Sequence, residues 1–295
     1  MKTSYFSAGG RTRPAIPGRP ARAQTMEDAV TEVAEYGFDA IEASGNITRL
    51  SPIIYRTKAS RKKLKEFMDS KGVAVSDVDQ RSALSIPYAN VRENELIVFD
   101  ALCQMAVDFD CNLVKVDQAG AAQAADPNIP WSQQRAWLVE SLKDCAKIAE
   151  DYGVKCGLHN HTNATVRENL EMINEVGAES LMLIIDADNA TVLHEDVVET
   201  TLLAAKAKKL SPVQHIKDHK REIKYRTTGS DSVYSGMNIV EVRRMCKVGE
   251  GIVDNIGFLK TLKSSGWDGY LSLEAFGKEN VVHGLKWMKD TWSSL

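Results

Sequence analysis

The stretch Val154-Lys155-Cys156-Gly157-Leu158-His159-Asn160-His161 reads as a short buried strand that runs directly into two imidazoles. Side chains alternate along a strand, so His159 and His161 share a side if the extended backbone persists that far. Three later apolar runs also end in a potential metal ligand. Leu181-Met182-Leu183-Ile184-Ile185 stops at Asp186, Pro212-Val213-Gln214 at His215, and Tyr270-Leu271-Ser272-Leu273 at Glu274. Four such endings in succession describe one site built from the tips of neighbouring parallel strands.

The segments on either side repeat the same rhythm. Ser4 to Ala8 forms a first strand, followed by a loop, Gly9 to Gln24, rich in glycine, proline and arginine. Thr25 with Asp28 makes a capping box for a helix through Met26, Val30, Val33 and Ala34, which Gly37 stops. Strand Phe38–Ala43, helix Lys58–Lys71, strand Val73–Asp79, helix Val91–Phe109, strand Cys111–Asp117 and helix Trp131–Tyr152 follow. After the opening strand come helix Val166–Val176, the run ending at Asp186, helix Val197–Lys208, and Val213–Asp218. A long polar connection, Asp218 to Gly251, interrupts the pattern before helix Ile256–Lys263, the strand ending at Glu274, and a last helix carrying Leu285, Trp287, Met288 and Trp292.

About eight strand–helix units make the tally of a (β/α)₈ TIM barrel, here a single domain over residues 1–295. An open doubly wound sheet would offer a glycine-rich phosphate turn after its first strand, and Gly9-Gly10 is a poor match. The length of 295 residues suits one such barrel, typically about 250 residues. With 43% apolar and 26% charged residues, the composition is that of a globular chain with ample core. A formal charge of -3 argues against a nucleic-acid partner. Cys103, Cys111, Cys145, Cys156 and Cys246 are widely spaced and form no C-x-x-C, which fits buried thiols in a reducing compartment. No transmembrane run or secretory signal is evident, so a cytoplasmic location without membrane contact is expected.

In a barrel of this kind, reacting groups project from the strand ends on one face. His159, Asp186, His215 and Glu274 would then converge from strands five to eight on one divalent ion. Two imidazoles and two carboxylates suit Mn²⁺ first, with Co²⁺, Fe²⁺ or Zn²⁺ as alternatives, and are too nitrogen-rich for Ca²⁺ or Mg²⁺ to be first choice. Lys217 lies two residues after His215 and faces the same way; beside a cation and partly desolvated, it would have a lowered pKa. His161 bears the same relation to His159. These two, with Glu274, are the candidate proton carriers, while Glu42, Asp117 and Lys115 are candidate substrate contacts. Plainer readings stand beside these. Asp186 is also placed to cap a helix, a job that Asp188-Asn189 could do instead. Lys217 and Asp218 could pair with each other, and Gly249-Glu250-Gly251 is a turn, with or without a role near substrate. His194, His219 and His283 read as surface residues. Arg11, Arg13, Arg19 and Arg22 in the loop after strand one read as a lid or subunit contact, with an anion clamp as the alternative.

The chain resembles the xylose isomerase-like TIM-barrel superfamily of sugar isomerases, epimerases and inosose dehydratases. The resemblance runs from Gly37-Phe38-Asp39-Ala40-Ile41-Glu42 to Gly269-Tyr270-Leu271-Ser272-Leu273-Glu274. It is carried by Leu158-His159-Asn160-His161, Asp186-Ala187-Asp188-Asn189, His215-Ile216-Lys217-Asp218 and Gly249-Glu250-Gly251. In the epimerases of that group the strand-five ligand is a glutamate that also transfers protons; here His159 stands there, as in the inosose dehydratases. The resemblance implies a metal-dependent enzyme acting on a keto-sugar or keto-cyclitol through an enediolate, as dehydratase/lyase or isomerase/epimerase. It also implies a small carbohydrate substrate and a homo-oligomer. Two other classes stay open: a non-catalytic or partner-dependent barrel subunit, and a nuclease like endonuclease IV. The nuclease would need more metal ligands and a basic groove.

Overall fold

The computed structural model describes residues 1–6, 25–44, 50–118, 128–161, 164–227 and 237–295, with residues 223–227 and 237–242 as backbone only. Seven strands come first: β1 (Lys2–Tyr5), β2 (Ala40–Ser44), β3 (Ala74–Gln80), β4 (Leu113–Asp117), β5 (Lys155–His159), β6 (Leu181–Ile184) and β7 (Val213–Ile216). An antiparallel hairpin, β8 (His219–Thr227) and β9 (Met237–Met245), precedes the last ring strand, β10 (Tyr270–Leu273). The eight ring strands are all parallel, in the order β6-β5-β4-β3-β2-β1-β10-β7. The seam between β6 and β7 is closed by a bridge at Asp186 and His215, where the His215 N–H donates to Ile185 O at 2.9 Å. The side chain of Gln214 completes that seam, accepting from Ile185 N at 2.7 Å and donating to Leu183 O at 3.2 Å. Two candidate metal ligands thus stand where the ring shuts.

Nine helices among the described residues wrap the ring: α1 (Met26–Tyr36), α2 (Lys58–Ser70), α3 (Ala89–Asp108), α4 (Trp131–Tyr152), α5 (Val166–Val176), α6 (Ala187–Val192), α7 (Val197–Lys206), α8 (Asn255–Ser264) and α9 (Lys278–Ser294). The expected Thr25/Asp28 capping box opens α1, and Gly37 closes it at φ 82°, a left-handed conformation that costs other residues a Cβ clash. Gly153 does the same at φ 69° and feeds the chain into β5. Buried Val30, Leu64, Phe99, Leu138 and Phe258 line the seam between helices and ring, each worth about 1.5–3 kcal/mol of apolar burial. Inside the ring, a Cβ at Gly157 would come within 2.7 Å of Ile184 Cδ1, so glycine lets the floor of the barrel close beneath His159. None of the helices among the described residues is long and apolar enough to cross a membrane. All five cysteines are free thiols, four buried and Cys246 half-buried.

One expectation needs correcting, and two further features join it. The connection from Asp218 to Gly251 contains the β8–β9 hairpin, whose alternating charged and apolar residues were masked by its overall polarity. The extra short helix α6 follows Asp186 directly. Between β2 and β3 the register slips, so that Ile41 faces Val75 but Glu42 faces Asp77, and this bulge turns Asp77 and Asp79 relative to Glu42. The arginine-rich segment 9–24 lies outside the described residues.

Candidate metal centre

His159, Asp186 and His215 come together at the tips of β5, β6 and β7. Each is buried, and one ligand atom of each lies within 4.8 Å of the others. The neighbours fix how these groups face. Asp117, at the end of β4, accepts from His159 Nδ1 at 3.0 Å, which leaves Nε2 as the lone-pair nitrogen, 3.7 Å from Asp186 Oδ2. Burial disfavours charge on His159, but the bond to Asp117 and the nearby carboxylate of Asp186 outweigh it and raise its pKa. Asp186 divides its two oxygens. Oδ1 caps α6, accepting from the N–H groups of Asp188 and Asn189, and Oδ2 faces the imidazoles. The helix cap that the sequence offered as the plainer reading of Asp186 is thus made by Oδ1, and Oδ2 is left facing the imidazoles.

Asn160 sits between the two imidazoles in sequence and points the other way, where it locks β5 to the end of β6. Its Oδ1 accepts from Asp186 N at 2.5 Å, and Asn189 Nδ2 donates to Asn160 O and to Asp186 Oδ2, both at 3.0 Å. The His215 ring lies 4.7 Å from that of His159, and its Nε2 is 3.2 Å from Glu42 Oε2 but not aligned to donate.

A divalent ion fits this donor set. His159 Nε2 and both nitrogens of His215 are buried with no hydrogen-bond partner. Leaving a buried polar atom unpaired costs about 1–3 kcal/mol, so one lone-pair nitrogen from each imidazole beside the Asp186 carboxylate calls for a further group to satisfy them. The nitrogen-rich set matches Zn²⁺, Mn²⁺, Fe²⁺ or Co²⁺.

Glu274 is not part of that trio. Its Oε2 accepts from Lys217 Nζ at 2.8 Å, and the same Nζ lies 2.7 Å from Asp186 Oδ2. The expected lowering of the Lys217 pKa is reversed. Burial pushes it down, yet Asp186, Glu274 and Asp188 outweigh burial and hold the ammonium. Glu274 resists charge through burial but is lowered by Lys217, so the pair is ionised. Nor does Lys217 pair with Asp218. That carboxylate is buried and accepts from the backbone N–H groups of His219, Gly249, Gly251 and Val253, which pins the Gly249–Gly251 turn. His161 lies 6.0 Å from the His159 ring, and burial with the charge of His159 lowers its pKa to about 4, leaving a neutral imidazole at pH 7.

The candidate substrate contacts form a second cluster across the ring. Lys115 Nζ binds Glu42 Oε1 and stands 3.3 Å from Asp79 Oδ1, while Ser272 donates to Glu42 Oε2 at 2.8 Å. Despite burial, His215 and Lys115 hold Glu42 well below the usual carboxylate range. Asp77 goes the other way, raised by burial and by Glu42. Phe6 stacks between the two groups, with Lys115 Nζ 4.8 Å and the His215 ring 6.1 Å from its ring centre.

Sequence reasoning missed His219. It is buried, binds Asp188, and with Arg243 at 3.2 Å from the same carboxylate ties both strands of the hairpin to α6. Its only sequence signal was its position four residues beyond His215, which a loop assignment discarded.

The family model for the xylose isomerase-like TIM barrel matches residues 30–291. An inosose dehydratase of Erwinia tasmaniensis is 23% identical over 263 residues, covering 85% of this chain and 82% of that protein. Among solved structures, the IOLI protein with a bound zinc atom superposes with a TM-score of 0.75 at 17% identity, covering 100% of this chain and 99% of that one. D-psicose 3-epimerase from Clostridium cellulolyticum, with D-tagatose, gives a TM-score of 0.73 at 15% identity with the same coverages.

Proposed function

The chain belongs to the xylose isomerase-like TIM barrel family, and on that footing we propose that it is a divalent-metal enzyme acting on a keto-sugar or keto-cyclitol. The observation that carries this reading is the buried trio itself: imidazole lone pairs without a protein partner, turned toward one carboxylate oxygen. His159, Asp186 and His215 would hold the ion, Mn²⁺ being our first choice, with Glu274 at its edge. When bound, such an ion acts as a Lewis acid that acidifies the C–H beside a chelated ketone, an effect worth several kcal/mol. The sugar epimerase and the inosose dehydratase among the similar proteins support a carbohydrate substrate.

The chain's own residues favour elimination over symmetrical epimerisation. Two carboxylates on opposite sides of a carbon would be needed to move a proton across it. Glu42 and Asp117 face the trio from the far side, but Glu42 is engaged by Lys115 and Ser272 and Asp117 by His159. On the near side the charge states support a division of roles. Glu274, a carboxylate, takes the proton from the carbon next to the ketone. The electron pair forms the double bond and expels the β-hydroxyl, and Lys217, an ammonium, supplies the proton that lets it leave as water. Neutral His161 offers a hydrogen bond to a substrate hydroxyl at the mouth.

The test joins metal analysis of the purified protein to a screen of ketoses and inososes in deuterium oxide. We expect about one divalent ion per chain, chelator-sensitive turnover, and a product lighter by one water. Protein that binds no ion, or turnover indifferent to chelation, would end this reading. Deuterium incorporation without loss of water would retain the metal enzyme and replace elimination by isomerisation.

A further inference from the structure

Lys217 occupies an unusual place for an acid. Its Nζ lies between Asp186 Oδ2 and Glu274 Oε2, 2.7 and 2.8 Å from them, with Asp188 Oδ2 at 4.0 Å, and the residue is only 5% exposed. Asp186 Oδ2 is the same oxygen that faces His159 Nε2. The ammonium therefore holds the one carboxylate oxygen of the trio, and it also holds Glu274 beside it.

We infer that Lys217 is a stand-in cation: it neutralises and positions Asp186 and Glu274 while no ion is present, and loading of a divalent ion is an exchange in which the ammonium gives up Asp186. The reason is electrostatic. Two buried cations sharing one carboxylate oxygen repel, and a divalent charge outbids a single one for it. Without the lysine, buried Asp186 and half-buried Glu274 would face each other as like charges beside the carboxyl group of Asp188. Lys217 thus serves two states. It preorganises the ligand carboxylates before loading, and once displaced from Asp186 it retains Glu274 and stands ready at the substrate. The exchange also lowers the apparent affinity for the ion, because each binding event must break the Lys217–Asp186 pair.

This inference rests on the metal reading above, and its test separates the two. Lys217→Met removes the competing charge at nearly constant length. We expect Mn²⁺ to bind this variant at least tenfold more tightly than wild type by titration calorimetry. The ion-free variant should melt at lower temperature than ion-free wild type, so that the gain in melting temperature on adding Mn²⁺ is larger. Lys217→Arg, which keeps the charge, should return both quantities toward wild type. If Lys217→Met does not fold without an ion, refolding in excess Mn²⁺ followed by competition against a graded chelator still yields the affinity. Equal or weaker Mn²⁺ binding by Lys217→Met, or an unchanged ion-free melting temperature, would overturn the exchange. A wild-type protein that binds neither Mn²⁺ nor Zn²⁺ would instead remove the metal reading on which it stands.

Discussion

The two halves of the ring solve the same electrostatic problem differently. Around β2, β3 and β4, the buried carboxylates of Glu42 and Asp79 close on a cation the chain carries itself, Lys115. Around β5, β6 and β7, the buried groups are imidazoles whose lone pairs find no partner, and the single carboxylate among them is shared with Lys217. One half supplies its own cation, although Asp77 Oδ2 and both Asp79 oxygens accept no hydrogen bond, and the other leaves imidazole nitrogens unpaired beside a carboxylate. The difference teaches where chemistry belongs: carboxylates gathered on a lysine have their counter-charge within the chain, whereas buried imidazole lone pairs have a place for a cation that the chain does not supply.

The largest effect should come from the half built around Lys115. Lys115→Met leaves Glu42 and Asp79 buried without their cation, and breaking such a pair costs about 3–5 kcal/mol. Urea denaturation should show a large fall in midpoint; a near-wild-type midpoint would mean that the network on β2 to β4 is dispensable. Asp186→Asn works on the other half. Asparagine can still cap α6 through its side-chain oxygen, so the fold should persist while ion affinity drops about a hundredfold or more, beyond the range seen for outer ligand partners. Equilibrium dialysis against a chelator reads that loss, and unchanged retention of the ion would place the centre elsewhere.

Asp117→Ala removes the acceptor that fixes the His159 tautomer. A weaker loss is expected, about ten- to a hundredfold in ion affinity, with the trio intact. Full retention of affinity would show that Asp117 has no part in orienting the ring.

The smallest effect concerns Asp77, whose pKa is raised by burial and by Glu42. Below the ordinary carboxyl value, near 3.9, folded and unfolded states are both protonated and its contribution is fully present. That contribution is lost as pH rises toward the folded value. Asp77→Asn stays neutral throughout, so its urea midpoint should gain on wild type as pH increases from about 4 to 8. Parallel midpoints across that range would contradict the assignment.

Much of the barrel was legible because its information is local. Glycine at Gly37, Gly153 and Gly177 marks a helix stop through backbone sterics alone, and the apolar runs ending in His159, Asp186 and His215 show the strand tips without any knowledge of neighbours. The hairpin at His219–Met245 was lost because its polar residues hide a period of two, and the slip between β2 and β3 had no sequence signature at all.

Residue order alone determined that the four strand tips carrying His159, Asp186, His215 and Glu274 follow one another in a parallel ring, since strand, helix and turn preferences act over a few residues. Which atoms meet was decided only by the folded chain. That Glu274 pairs with Lys217 and stays outside the trio, that Lys217 is held charged, and that buried His219 grips Asp188 depend on distances between strands. Coulomb energy and desolvation vary with those distances and with burial, and neither is written in any local stretch of sequence.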